Sequence, residues 1–299
     1  MLRIEANHYV NSMDRKNKPA AFAKDGDIVV FVTKDCFGGQ IHSEEQVMDS
    51  LDWSNINPAT GPLFVDGAEE GDVLKVEIMD IGIADRGVMV DGGGEGVMGK
   101  LIKEATTKIL PIRDGKVIFN DKLSFPVNPM IGVIGTAPKG DGIPTGTPGD
   151  HGSNMDCTKI TKGSVIYLPV NVKGALLAMG DLHALMGDGE VGVCGVETDG
   201  EVKVKISVLK ECGLPTPFIV DQKNAISVFS AETADEALEG ATIQMFHFLM
   251  NELGMTDHEA EMLLSIVGNV CICQIVDPEK TARMEIPMSV CSSYGYKFA

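Results

Sequence analysis

The stretch Val73-Leu74-Lys75-Val76-Glu77-Ile78 alternates apolar and charged residues. Successive side chains of a strand point to opposite faces, so this pattern reads as a half-buried strand with one wet face. A second stretch, Val202-Lys203-Val204-Lys205-Ile206, repeats the pattern and opens a strand over 202–209. The two belong to a faint internal echo. Lys24–Val32 resembles Lys162–Val170, and in each half the alternating stretch follows at a similar distance, as a duplicated β-unit would leave it. Working outward, short β-branched runs predict strands over 27–33, 130–136, 164–170, 175–179 and 191–196. A hairpin is expected over 108–119 around Asp114-Gly115. Residues 1–230 therefore read as a mainly β body, a β-sandwich or jelly-roll-like fold.

The pattern changes near residue 231. Thr233-Ala234-Asp235-Glu236 and Thr256-Asp257-His258-Glu259 are capping boxes, in which a Thr hydroxyl and a Glu carboxylate satisfy each other's backbone N–H. Leu238, Ala241, Met245, Phe248 and Leu249 share one helical face. Helices are expected over 235–253 and 257–267, then a strand over 270–276. This helix-helix-strand unit, 231–299, is expected to pack on the same body, making the fold α+β overall. His247 and His258 fall in or beside these helices and read as structural or solvated.

Composition limits the partners. The 299 residues carry a net charge of -18, with a sequence pI near 4.7. Nucleic acid and anionic membranes need a basic face, so neither is an expected partner. No segment approaches the roughly 18 uninterrupted apolar residues of a membrane span. Met1–Val10 lacks the apolar core of a secretory leader. The seven cysteines are scattered and odd in number, which predicts reduced thiols and a cytoplasmic location.

Two glycine-bounded stretches concentrate the titratable chemistry. They are Pro148-Gly149-Asp150-His151-Gly152-Ser153-Asn154-Met155-Asp156 and Gly180-Asp181-Leu182-His183-Ala184-Leu185-Met186-Gly187-Asp188-Gly189-Glu190. Between them they hold two of the six histidines and five carboxylates, on loops flanked by strand-like runs. They read either as acidic solvated turns or as a site. As a site, His151, Asp156, Asp181, His183 and Glu190 offer mixed imidazole and carboxylate ligands for a divalent metal. Such a set suits zinc first, with calcium as the second choice. The glycine-rich loop Asp91–Gly96 is a conceivable lid; no Lys-Ser/Thr follows to make it a phosphate cradle. No Gly-x-Ser-x-Gly nucleophile elbow is present.

At these residues the chain resembles the acetamidase/formamidase family. The likeness rests on Asp35-Cys36-Phe37-Gly38-Gly39-Gln40-Ile41, on 61–72 (Gly-Pro-Leu-Phe-Val-Asp-Gly-Ala-Glu-Glu-Gly-Asp), on 129–135 (Pro-Met-Ile-Gly-Val-Ile-Gly), on 151–156 and on 180–190, and covers nearly the whole chain. Ser153 departs from it, standing where the family more often has glycine. The resemblance implies hydrolysis of small linear amides, formamide or acetamide, by a homo-oligomer, a dimer being favoured. The expectation is metal-assisted hydrolysis with His151, Asp156 and His183 as metal ligands. Glu190 or Asp181 would be the general base, and Asp35, Gln40 and Asn154 would position the amide. The rivals are an enzyme whose bound cation is only structural, and a non-catalytic β-sandwich module binding calcium or a small polar ligand.

Overall fold

The computed structural model describes residues 1–299. The alternating strand runs from Val73 to Ile83 and lies inside a nine-stranded sheet. Leu74, Val76 and Ile78 are buried, while Lys75 and Glu77 stay half-exposed and pair with each other, Nζ to Oε1, at 3.4 Å. The wet face inferred from alternation is therefore a charged one. Its neighbours are Gly200–Leu209 on one side and Val165–Pro169 on the other, both antiparallel. Ile28–Thr33 pairs in turn with Gly200–Leu209.

This order accounts for the internal echo. The two alternating strands pair with each other, and each is flanked by the lead strand of the opposite half. In the second large sheet, Ala59–Asp66 of the first half pairs antiparallel with Leu177–His183 of the second. These pairings are the ones a swapped duplication would leave. Apolar faces of both sheets meet in one core of 30 buried residues, among them Phe31, Leu63, Leu74, Ile134, Ile166, Leu177 and Val204.

Two sequence expectations need correcting, and both bear on the site. The strand expected to stop at Met179 continues to His183, with all seven residues from Leu177 buried. Gly180 and Asp181 look like a turn in composition, yet Val133 pairs with Gly180 and Met130 with His183. Tertiary pairing has overridden local preference. Conversely, 191–196 forms turns rather than a strand. Its segment carries Gly192 and Gly195 and runs past the end of the Leu177–His183 strand, where Ala184 N donates to Val196 O and Val196 N to Leu185 O.

The C-terminal elements match expectation closely. Helix α1 spans Ala234–Asn251 and α2 spans Asp257–Val267, and both capping boxes are formed. His247 and His258 are exposed. The strands Asn224–Ala231, Lys280–Pro287 and Asn269–Gln274 extend the nine-stranded sheet. The helices cover this extension with a separate core of 18 residues that includes Phe218, Met245, Phe248 and Met284. No helix is long and apolar enough to cross a membrane.

Candidate active site

The strand Leu177–His183 is where the second sheet forks. Its first half pairs with Ala59–Asp66, and its last two residues, Leu182 and His183, pair with Thr198 and Glu197. At the fork, side chains from four further segments converge. His183 Nε2 lies 3.2 Å from Asp181 Oδ1 and 3.2 Å from Glu197 Oε1. It is 3.6 Å from Asp156 Oδ1 and 3.9 Å from Glu190 Oε1. All five residues are buried. Asp156 follows the short strand Gly152–Asn154, which pairs with Met130–Gly135. Asp277 is half-buried beside this group. It enters from the C-terminal unit, and Asn154 Nδ2 donates to its Oδ2 at 2.8 Å.

The backbone gives way to this cluster. Ser153, Asp156, Asp181 and Glu190 all have positive φ, at 78°, 43°, 56° and 47°. Non-glycine residues seldom adopt this conformation, and its concentration in one place points to function. Gly132 makes room for the carboxylates: a Cβ there would fall 2.4 Å from Asp156 Oδ1 and 2.6 Å from Asp181 Oδ2. Gly195 does the same for the ring, since a Cβ would stand 2.5 Å from His183 Nδ1. The loop that carries Glu190 is pinned from outside. Arg283 donates from Nη1 and Nη2 to both oxygens of Asp188, at 3.0 and 2.6 Å. Thr158 Oγ1 donates to the same carboxylate, and Gly189 N to Cys273 O.

So many acids in one buried place cannot all ionise. Burial, reinforced by neighbouring carboxylates, pushes Asp156, Glu190 and Asp277 well above the usual carboxylate range. Burial lifts Glu197 to about 8. Burial alone would lower His183, but Glu197 and Asp181 outweigh it and hold the imidazole well above its ordinary value. Asp181 stays below the ordinary value because the charge of His183 overcomes its burial. Both oxygens of Asp156 and Oε2 of Glu197 are buried without a hydrogen-bond partner. Such orphans are rare and ask for a cation or ordered water. Ligand atoms of Asp156, His183 and Glu190 all lie within 4.8 Å of one another. One imidazole nitrogen and two carboxylates are a donor set suited to a divalent metal, with the three protein ligands that a catalytic zinc takes.

The remaining expected residues are placed as follows. His151 is buried with Nε2 unpartnered, and burial lowers it to about 4. It sits beside the far end of the Met130–Gly135 strand and is not grouped with Asp156, His183 and Glu190. Asp35 Oδ1 accepts from Gly39 N at 2.8 Å, bracing its own loop, and burial lifts it to about 6. Gln40 ties that loop to Asp52, donating from Nε2 to its carbonyl and accepting its N–H at Oε1. Asp35 and Gln40 shape the wall without lining the cavity. Ser153 explains its own departure: φ of 78° favours glycine there, and its hydroxyl is spent on the Thr145 carbonyl at 2.8 Å. Sequence reasoning missed Glu197, Asp277 and Asn57. Glu197 directly follows 191–196, a run taken for an ordinary strand, and Asp277-Pro278 read only as the close of the strand over 270–276.

Asn154, Asp181, Glu190, Glu197 and Asp277 form the polar floor of a cavity of about 230 Å3. Glu95, from the glycine-rich loop, also lines it.

Known proteins place this architecture. The sequence profile of the Acetamidase/Formamidase family matches residues 5–143 and 139–293. A formamidase of Methylophilus methylotrophus is 30% identical over 250 residues, covering 64% of this chain and 61% of that protein. The chain spans about three-fifths of the length of the curated relatives it matches. The crystal structure of an acetamidase from Bacillus halodurans superposes with a TM-score of 0.97 at 46% identity, over 98% of this chain and 100% of that one. A predicted acetamidase/formamidase from the thermophile Thermoanaerobacter tengcongensis gives 0.97 at 48% identity, over 99% of both chains. The chain belongs to the acetamidase/formamidase family.

Proposed function

We propose that the chain hydrolyses the C–N bond of linear primary amides, releasing ammonia and a carboxylic acid. The observation that carries this reading is the buried cluster of His183 with Asp156, Asp181, Glu190 and Glu197, of which Asp181, Glu190 and Glu197 line a cavity. The names of its relatives support it. Asp156, His183 and Glu190 are the residues that would hold a divalent metal, zinc by donor chemistry. Bound there, the ion would polarise the amide oxygen and ease deprotonation of water.

The other roles fall to the groups left free. Glu197 lines the cavity, and its Oε1 is engaged by the Gly195 N–H at 2.8 Å while Oε2 is unpartnered. We assign it as the general base, in place of the Glu190 or Asp181 expected from sequence. Glu197 accepts a proton from water as the water oxygen adds to the amide carbon. It then returns that proton to nitrogen as the C–N bond breaks and ammonia leaves. Asp277 presents a carboxylate to the substrate N–H groups, and Asn154, itself receiving Asn57 Nδ2 at 3.2 Å, holds it in place.

The test is ammonia release from simple amides by the purified chain, before and after chelation, with zinc added back. Release that is lost on chelation and restored by zinc is expected. Release untouched by complete metal removal would overturn the metal assignment, and no release from any amide would overturn the hydrolase.

A further inference from the structure

The cavity is larger than formamide or acetamide requires. Its volume is about 230 Å3, whereas an apolar cavity of roughly 150 Å3 is enough to take benzene. Scaled by heavy atoms, the space suits an amide with an acyl group of about five or six carbons. Away from the acids and from Asn57 and Asn154 its lining is mainly apolar: Phe37, Met48, Leu51, Ile56, Val90 and Val193. Four of these, Phe37, Met48, Leu51 and Val90, belong to one buried cluster, so they form a packed wall rather than loose loop residues. Charge narrows the choice further. None of the 16 residues lining the cavity is Lys, Arg or His, while Glu95, Asp181, Glu190, Glu197 and Asp277 all do so.

Resting on the amidohydrolase reading, we propose that the substrate is an uncharged primary amide with an apolar acyl chain of about five or six carbons, seated against this wall. The amide end meets the acidic floor, and the chain displaces water from Met48, Leu51 and Val90. Burial of each methylene strengthens binding about fourfold. A carboxylate at the far end of the chain, away from the floor, would meet no cationic side chain in the cavity lining.

The experiment measures kcat/KM for ammonia release from acetamide, butyramide, hexanamide and adipamic acid at neutral pH. The expected result is a rise of about fourfold per methylene from acetamide to hexanamide, with adipamic acid at least tenfold below hexanamide. Met48→Trp and Leu51→Phe each fill the cavity, and either should cut the hexanamide-to-acetamide ratio by tenfold or more. Two variants are used so that one misfolded protein, recognised by its melting, leaves the other to decide. Acetamide equal to or better than hexanamide in the native chain would overturn the proposal and leave the hydrolase standing. So would an unchanged ratio in a folded variant. No ammonia from any of the four would instead defeat the hydrolase reading itself.

Discussion

The C-terminal helices and the acidic floor bury side chains equally deeply, in opposite ways. Phe248 and Leu249 of α1 lie in an apolar core, and the Thr–Glu capping boxes satisfy the helix starts. There, propensity, pattern and packing agree, which is what a stable element requires. Around His183 nearly every rule is broken. Carboxylates are buried beside carboxylates, oxygens of Asp156 and Glu197 lack partners, and four non-glycine residues hold positive φ. Burial of unpaired polar groups is costly, so the sheets must over-determine the arrangement. The difference teaches that the two regions divide the work: one supplies stability, the other spends it on chemistry. Arg283 joins them, reaching from the C-terminal sheet to clamp Asp188 beside Glu190.

This division can be broken by substitution. Glu197→Gln is expected to lower amide turnover by about 10²–10⁴-fold, the usual contribution of a general base. Because glutamine keeps the volume and an acceptor for the Gly195 N–H, melting should fall little. A variant with near-native turnover would return the role to another carboxylate. Phe248→Ala should do the reverse, costing about 4 kcal/mol of stability by opening a cavity in the core. Turnover per folded molecule should hold; urea unfolding and ammonia release measure the two. Asp188→Ala sits between them. Loss of the charged hydrogen bonds to buried Arg283 should cost about 2 kcal/mol, and turnover should fall as well, since the Glu190 loop loses its clamp. A loss of stability with native turnover would show the clamp to be purely structural. Thr256→Ala is the smallest change, about 1 kcal/mol for a lost N-cap and about 2 °C in melting for a domain of this size, with turnover unaffected.

The same contrast explains what could be read from sequence. The helices were legible to within a few residues, because their caps and apolar stripe are local signals. The alternating stretches over 73–78 and 202–209 were legible for the same reason. The site was legible in part: Asp156, Asp181, His183, Glu190 and Asn154 lie in the two glycine-bounded stretches that stood out. Glu197 and Asp277 were invisible because nothing nearby in sequence marks them. They arrive by pairing of Glu197 with His183 and by the reach of a C-terminal turn, both non-local events. His151 looked as good as His183 in sequence. It is separated from the cluster by the length of the Met130–Gly135 strand, a distance that only the register reveals.

The central claim is that His183 organises a metal-dependent catalytic floor, and the most direct measurement is made on His183→Gln, which fills similar space. Metal content and ammonia release are compared with the native chain and with His258→Gln, whose residue is exposed at the start of α2. The account predicts one divalent ion per native chain and per control chain. In folded His183→Gln it predicts loss of that ion and a fall in turnover of more than about a hundredfold, or about 2.7 kcal/mol of barrier. A folded His183→Gln protein that keeps its metal, or more than about a tenth of native turnover, a barrier change below about 1.4 kcal/mol, would contradict it.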